Sequence, residues 1–203
     1  MDPSQISLSQ WNRFCNEAYE IEASMKEKKD LTIDEFDKTY PILHNNKNPL
    51  FLTYVFQGAV SSGNIPLIDH IFKKEGKSIL TPNPLYKAIS CENRKDGFLT
   101  AKRLIQLGAD PNMAPSDTPT PLSWALQRIT SSYDFQMVKL LLKHKAKISS
   151  PLTNTQKKTI DKAQKRIDTK KRTKESFCII WLEDSLIHQV PLVLIKNIFK
   201  FVK

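Results

Sequence analysis

Apolar positions in this chain fall at three- and four-residue intervals in short blocks. Leu8, Trp11, Phe14, Ala18, Ile21 and Met25 follow that spacing, while Glu17, Glu20, Glu22 and Lys26 lie largely elsewhere. The pattern predicts an amphipathic helix over Leu8 to Lys28, with Ser7 or Ser9 as its cap. Thr32-Ile33-Asp34-Glu35 reads as a capping box opening a second, short helix toward Tyr40, where Pro41 stops it. Beyond it the pattern repeats itself. Thr81 to Ala109 overlays Thr118 to Ala146 at an offset of 37 residues without a gap, matching Thr81/Thr118, Pro82/Pro119, Pro84/Pro121, Leu85/Leu122, Ala88/Ala125, Phe98/Phe135, Lys102/Lys139, Leu104/Leu141 and Ala109/Ala146. A period of this size implies stacked helical units, none able to bury its apolar face alone. Function is then expected in a surface rather than a pocket.

The residues inside the period carry a resemblance. Asn83-Pro84-Leu85-Tyr86-Lys87-Ala88 and Thr120-Pro121-Leu122-Ser123-Trp124-Ala125 resemble the T-P-L-H-x-A opening of the ankyrin repeat family. Leu104-Ile105-Gln106-Leu107-Gly108-Ala109-Asp110-Pro111-Asn112 resembles its closing L-L-x-x-G-A-D-x-N. Proline in the first helical turn gives up an N–H that would lack a partner anyway, and Gly108 supplies a left-handed residue to end the second helix. Tyr86 and Ser123 stand where the family has His. A usual unit has 33 residues. The four extra residues are expected in a longer loop between the helices, at Glu92 to Leu99 and Ile129 to Gln136, stapled to the core by Phe98 and Phe135.

A weaker third copy aligns Ala59 with Ala88 and Ala125. Val55 and Phe56 take the Pro-Leu places, Gly63-Asn64 falls between the helices, and Ile68, Ile71 and Phe72 supply the second apolar face. The expected fold class is all-α, an ankyrin-repeat solenoid of about three helix-turn-helix repeats with helical N- and C-terminal caps. The expected divisions are an N-terminal helical cap at 1–49, repeats at 50–150, a basic helix at 151–176 and an apolar helical segment at 177–203.

Composition narrows this reading further. Only 5 glycines among 203 residues, with many Lys, Leu and Ile, favour helices. No run of 18 apolar residues suggests a membrane span, and the N-terminus, with Asp2 and Glu17, lacks the order of a signal peptide. Cys15, Cys91 and Cys178 are odd in number and far apart, which argues for a reducing compartment. A cytoplasmic location is expected, with the nucleus as the alternative. The acidic cluster Asp30, Asp34, Glu35 and Asp37 lacks the alternating ligands and central glycine of a calcium loop.

Between Lys157 and Lys174 lie nine cations: Lys157, Lys158, Lys162, Lys165, Arg166, Lys170, Lys171, Arg172 and Lys174. Only Asp161 and Asp168 oppose them, so this stretch holds +7 of the chain's +10. Two readings stand. Ile160, Ala163 and Ile167 recur at helical spacing, so one side can dock on the last repeat while the lysines face water. Alternatively, Lys165, Arg166, Lys170, Lys171, Arg172 and Lys174 form a patch for nucleic acid or acidic membrane, or an import signal within Lys171-Arg172-Thr173-Lys174.

The C-terminal stretch is apolar: Phe177 to Leu182, then Val190 to Val202 with Lys196, Asn197, Lys200 and Lys203 as a narrow polar stripe. A helix from Pro191 must bury most of its circumference in its own domain or in a partner. The positions Pro191, Leu194, Ile195, Ile198, Phe199, Phe201 and Val202, with Val190 where the family has Leu, resemble the opening L-P-x-x-[LI]-[LI]-x-x-I-[LF]-x-[FY]-[LV] of an F-box. An F-box-like segment after ankyrin repeats resembles the arrangement in poxvirus ankyrin proteins and some intracellular bacterial counterparts. The resemblance implies docking on the Skp1 adaptor of cullin ubiquitin ligases, in a host cytosol or nucleus. The other reading is a helical cap over the last repeat.

Catalysis finds no motif. His44, His70, His144 and His188 show no metal-ligand spacing, and no glycine-rich phosphate loop, G-x-S-x-G or C-x-x-C occurs. Neither cofactor, metal nor small-molecule substrate is expected, and the chain reads as a non-enzymatic adaptor. The ankyrin resemblance places its recognition surface on the loop tips and the exposed face of each first helix. Carried onto this sequence, the partner-binding positions are Ile79, Leu80, Pro82, Ser90, Cys91, Asn112, Met113, Ser116, Asp117, Pro119, Gln127 and Arg128, facing a protein target on the concave side. Trp124 is expected in the core.

Overall fold

The structure is a computed structural model that describes residues 16, 19, 20, 22–25, 30–39, 49–81, 83–114, 118–149 and 151–188, with side chains in the last stretch given to 175. Among the described residues the chain is helical, with no strand. It divides into two units, Met1–Leu152 and Thr153–Lys203.

In the first unit, α1 spans Ile33–Thr39, α2 Pro49–Ser62 and α3 Ile65–Glu75; a 3₁₀ turn, Gly76–Leu80, follows. Then come α4 at Leu85–Ile89, α5 at Arg94–Gln106, α6 at Pro121–Gln127 and α7 at Ser132–Lys143. The helices pair as hairpins α2/α3, α4/α5 and α6/α7. The first helices α2, α4 and α6 touch in that order, and α5 packs against α7. At the N-terminal side, α1 packs on α3, and Met25 is buried where any side chain at Gly58 would meet its Cβ at 3.0 Å. Most of the expected helix Leu8 to Lys28 lies outside the described residues. Thr32 and Glu35 form the capping box in both directions, at 3.1 and 3.2 Å.

Local chemistry sets the helix ends. Asn64 caps α3 by accepting from Leu67 N at 3.1 Å and ties it back to Leu31 O at 2.8 Å. Asn93 caps α5, accepting from Lys95 N and Asp96 N, and Thr120 caps α6 with Pro121 in the first turn. Ser131 and Asp134 make a capping box on α7. These caps correct the expected long loops. Because Asn93 and Ser131 start the second helices early, most of the extra residues become the first turns of α5 and α7. Phe98 and Phe135 therefore sit on helices, and Phe98 meets Tyr133 of α7 with ring centroids 6.3 Å apart.

The buried residues keep the sequence register. Phe56, Leu85 and Leu122 are fully buried at matching places on the first helices, followed by Ala59, Ala88 and Ala125. On the second helices Ala101 and Leu104 match Val138 and Leu141, all without exposure. Each such leucine contributes about 1.5–3 kcal/mol of burial. Gly97 lets α5 cross α4 closely, since a Cβ there would lie 2.5 Å from Ala88 O.

Helix termination repeats too. Ala109 N donates to Leu104 O at 2.9 Å across Gly108 (φ 101°), and Ala146 N donates to Leu141 O at 3.0 Å across Lys145 (φ 61°). The same left-handed closure thus uses glycine once and lysine once. A non-glycine residue held there costs about 1–2 kcal/mol. We expect Lys145→Gly to raise the free energy of unfolding by about 1 kcal/mol in chemical denaturation, net of the added freedom of the unfolded chain. Unchanged or lower stability would count against this closure.

The second unit is described as one helix, α8, Asn154–His188. Thr153 Oγ1 accepts from Gln156 N at 3.3 Å and Gln156 Oε1 accepts from Thr153 N at 3.0 Å, a capping box at its start. Among the described residues no helix is long and apolar enough to cross a membrane.

Candidate partner-binding surface

The expected binding positions separate into three groups. Ile79 and Leu80 were placed on a loop tip by the repeat register, but the 3₁₀ turn after Gly76 rotates both inward, leaving them 4% and 7% exposed. Cys91 is 7% exposed and its thiol donates to Ser61 O at 3.5 Å. These three residues belong to the packing of α2, α3 and α4 rather than to an outer surface. Pro82, Ser116 and Asp117 lie outside the described residues, as do Pro191, Leu194, Ile195, Ile198, Phe199, Phe201 and Val202.

A second group holds the loop between the α4/α5 and α6/α7 hairpins. Asn83 Nδ2 donates to Asp110 O at 2.9 Å and to Met113 O at 2.8 Å, while its Oδ1 accepts from Leu85 N. Thr120, 37 residues later, donates to Lys147 O at 2.8 Å, the equivalent carbonyl. Asn112 bridges onward, accepting from Lys147 N at 2.6 Å and donating to Lys145 O at 3.3 Å. Tyr86 OH donates to Pro119 O. In the next copy Ser123 Oγ accepts from Ser149 N at 3.2 Å, so Tyr86 and Ser123 both tie to the following loop. Burial pushes the Tyr86 hydroxyl up, against a hydrogen bond to Thr118. Asn112 and Pro119 are thus each tied to a neighbouring segment rather than free for a partner.

What remains forms a small surface where α4 and α6 end. Ser90 and Gln127 are exposed there, while Met113 stands out from the loop at the other end, beside Asn83 ahead of α4. Trp124 is only half-buried; its Nε1 donates to Ser90 Oγ at 3.1 Å, and the Arg128 guanidinium lies 5.9 Å from the ring centroid. Trp124 therefore bridges two hairpins at the surface instead of filling the core. Its place beside Ala125 gave no sign of this; the signal was Ser90, two residues past the matching Ala88 of the previous copy. Arg128 Nε is buried with no hydrogen-bond partner among the described residues.

Beneath this surface lies a small cleft lined by Ala88, Ile89, Cys91, Arg94, Arg128 and Asp134, among others. Arg94 stabilises its floor, donating to Ile89 O at 3.3 Å and Cys91 O at 3.2 Å while its Nε faces Asp134 Oδ1 at 3.5 Å. Asp134 Oδ2 accepts from the backbone and hydroxyl of both Thr130 and Ser131 at 2.8–3.1 Å. Burial raises the Asp134 carboxyl, but these hydrogen bonds outweigh it and hold the group below the ordinary carboxylate range. Burial also lowers His144, helped by Lys143. Among the described residues no three of His, Cys, Asp and Glu gather as a metal-binding group.

No family model, curated protein or solved structure matches this chain.

Asp134 links the cleft to pH. Its carboxyl is lowered on folding, so its stabilisation is present above the unfolded carboxylate value, about 3.9, and is lost as pH falls through the lower folded value. Asp134→Asn should be less stable than the parent at pH 7 and should lose less stability on acidification from pH 6 to 2.5. Parallel losses in thermal melts would show that the carboxylate contributes nothing.

Proposed function

We propose that this chain is a non-catalytic adaptor of ankyrin type, with three stacked hairpins presenting a protein-binding face. The target sits against Ser90, Trp124, Gln127 and Arg128. One observation carries the reading: a half-open tryptophan is pinned across two hairpins by Ser90, with an arginine over its ring. Trp and Arg are the side chains that most often dominate protein interfaces, and a ring already fixed in place loses little freedom on binding. The hydrogen bonds that hold Asp110, Asn112, Met113, Pro119 and Thr120 favour a preformed surface in the same way. The 37-residue register of burial, helix closure and loop bonds supports the ankyrin assignment.

In this reading the C-terminal positions Pro191 to Val202 serve as an F-box-like segment that brings Skp1 and cullin machinery to the bound target, in a cytoplasmic setting. The carrying argument there is the sequence pattern alone.

Two full-length double variants test the halves separately. Trp124→Ala/Arg128→Ala should weaken a captured target at least about thirtyfold, a loss of about 2 kcal/mol, and leave binding of purified Skp1 intact. Leu194→Asp/Ile198→Asp should do the reverse. If wild-type protein does not bind Skp1, the ubiquitin role fails; if the face variant keeps full target affinity, the surface is misassigned.

A further inference from the structure

The cleft beside Trp124 carries one cation more than the fold uses. Among the charged residues of its wall, Arg94 and Arg128 are positive and Asp134 is negative, so two guanidiniums face one carboxylate. That carboxylate is already engaged: Oδ1 faces Arg94, and Oδ2 takes the backbone and hydroxyl donors of Thr130 and Ser131. The carbonyls of Ile89 and Cys91, two more residues of the wall, accept from Arg94 as well. Arg128 is left with no hydrogen bond or ion pair among the described residues. Its Nε is closed off from solvent, while its two terminal nitrogens are not. The guanidinium is thus partly stripped of water, set against the Trp124 ring and bordered by Ala88, Ala125 and Met137. In such a low-dielectric setting a cation attracts an anion more strongly than it does in open water.

Packing alone does not call for a cation at this place. Thirty-seven residues earlier the matching position is Cys91, a small buried side chain whose thiol donates to Ser61 O. Arg128 departs from that register at the end of α6, and the departure puts its charge at the edge of the surface that exposes Ser90 and Gln127.

We infer that Arg128 receives a carboxylate of the bound partner, the side chain of one Glu or Asp in a peptide segment lying across the ends of α4 and α6. The inference rests on the target-binding face proposed above and names the chemistry which that face holds. The terminal nitrogens of arginine form a planar fork that matches the two oxygens of a carboxylate. One uncompensated cation also matches one carboxylate in charge. A phosphorylated side chain carries about −1.5 to −2 and is typically held by a cluster of arginines, whereas the second guanidinium here is committed to Asp134.

The probe is a displayed library of random peptides selected on the full-length protein. Selected peptides whose binding is lost with Trp124→Ala are ligands of the face, and they should share an acidic residue at one fixed position. Replacing that residue by its amide in a synthetic peptide should weaken binding about thirtyfold, as for one partner of a desolvated charge pair. Phosphoserine in its place should bind no tighter. On Arg128→Gln the acid-to-amide replacement should change affinity by less than about twofold, because the pair no longer exists to be broken. Arg128→Lys, which keeps the charge and loses the fork, should retain only part of the affinity. The replacements in the peptide need no change in the protein, so they decide the matter even where a variant at position 128 fails to fold. Face-binding peptides without a shared acidic position, tighter binding of phosphoserine, or an acid-to-amide loss that is equally large on Arg128→Gln would overturn the carboxylate assignment and leave the face standing. If no selected peptide depends on Trp124, the face itself fails and this inference with it.

Discussion

The first unit depends on one constraint: two of its first helices, α4 and α6, are too short to exist alone. An isolated helix under about 12 residues is marginal in water, and α4 has 5 residues and α6 has 7. Their helical form comes from packing. Leu85 and Ala88 of α4 lie between α2 and α6, and the row Phe56, Leu85, Leu122 is sealed completely. Each hairpin dries its neighbour's flank, Thr120 caps the short α6, and Asn64, Asn93 and Ser131 supply hydrogen bonds at the starts of the second helices α3, α5 and α7.

The same constraint positions the candidate surface. Helices held by neighbours on both sides end at fixed points, so Ser90 of one hairpin and Trp124 of the next meet at bonding distance. Asn83, Asn112 and Thr120 then fasten the connecting loop to backbone carbonyls at both ends. Charged pairs reinforce the row from outside: Arg103 of α5 reaches Asp69 of α3 at 2.7 Å, Arg94 reaches Asp134, and Lys87 pairs with Glu22. Asp37 of α1 accepts from His70 and Lys74 of α3, both at 3.2 Å. Burial opposes its ionisation, but these contacts outweigh it and lower the carboxyl. The more exposed pairs, Arg103 with Asp69 and Lys74 with Asp37, add little energy individually and mainly fix register.

Much of this fold was legible in the sequence because its strongest determinants are local. Proline at Pro121, glycine at Gly108 and the capping box at Thr32 each act within one turn, and the alternation of buried Leu and Ala follows helical period. What escaped depends on which of several local signals prevails. Asn93 and Ser131 could have been loop residues; as caps they draw the extra residues into α5 and α7. Ile79 and Leu80 are apolar residues beside a proline, where a loop tip and an inward 3₁₀ turn share one composition. Trp124 could be placed only by knowing that Ser90 of the preceding copy lies within reach of its indole nitrogen. Lys145 shows the limit from the other side: the register asks for a left-handed residue there, and nothing in lysine announces one.

The most direct test of mutual support among the hairpins is amide hydrogen exchange on Leu85→Ala. Removing this side chain costs about 2–5 kcal/mol in a packed core. If the hairpins hold one another up, protection falls by a similar amount in α2 and α6, which flank the substituted helix, as well as in α4. If protection in α6 and α7 stays at its original level while α4 alone opens, the hairpins are independent and the account is contradicted.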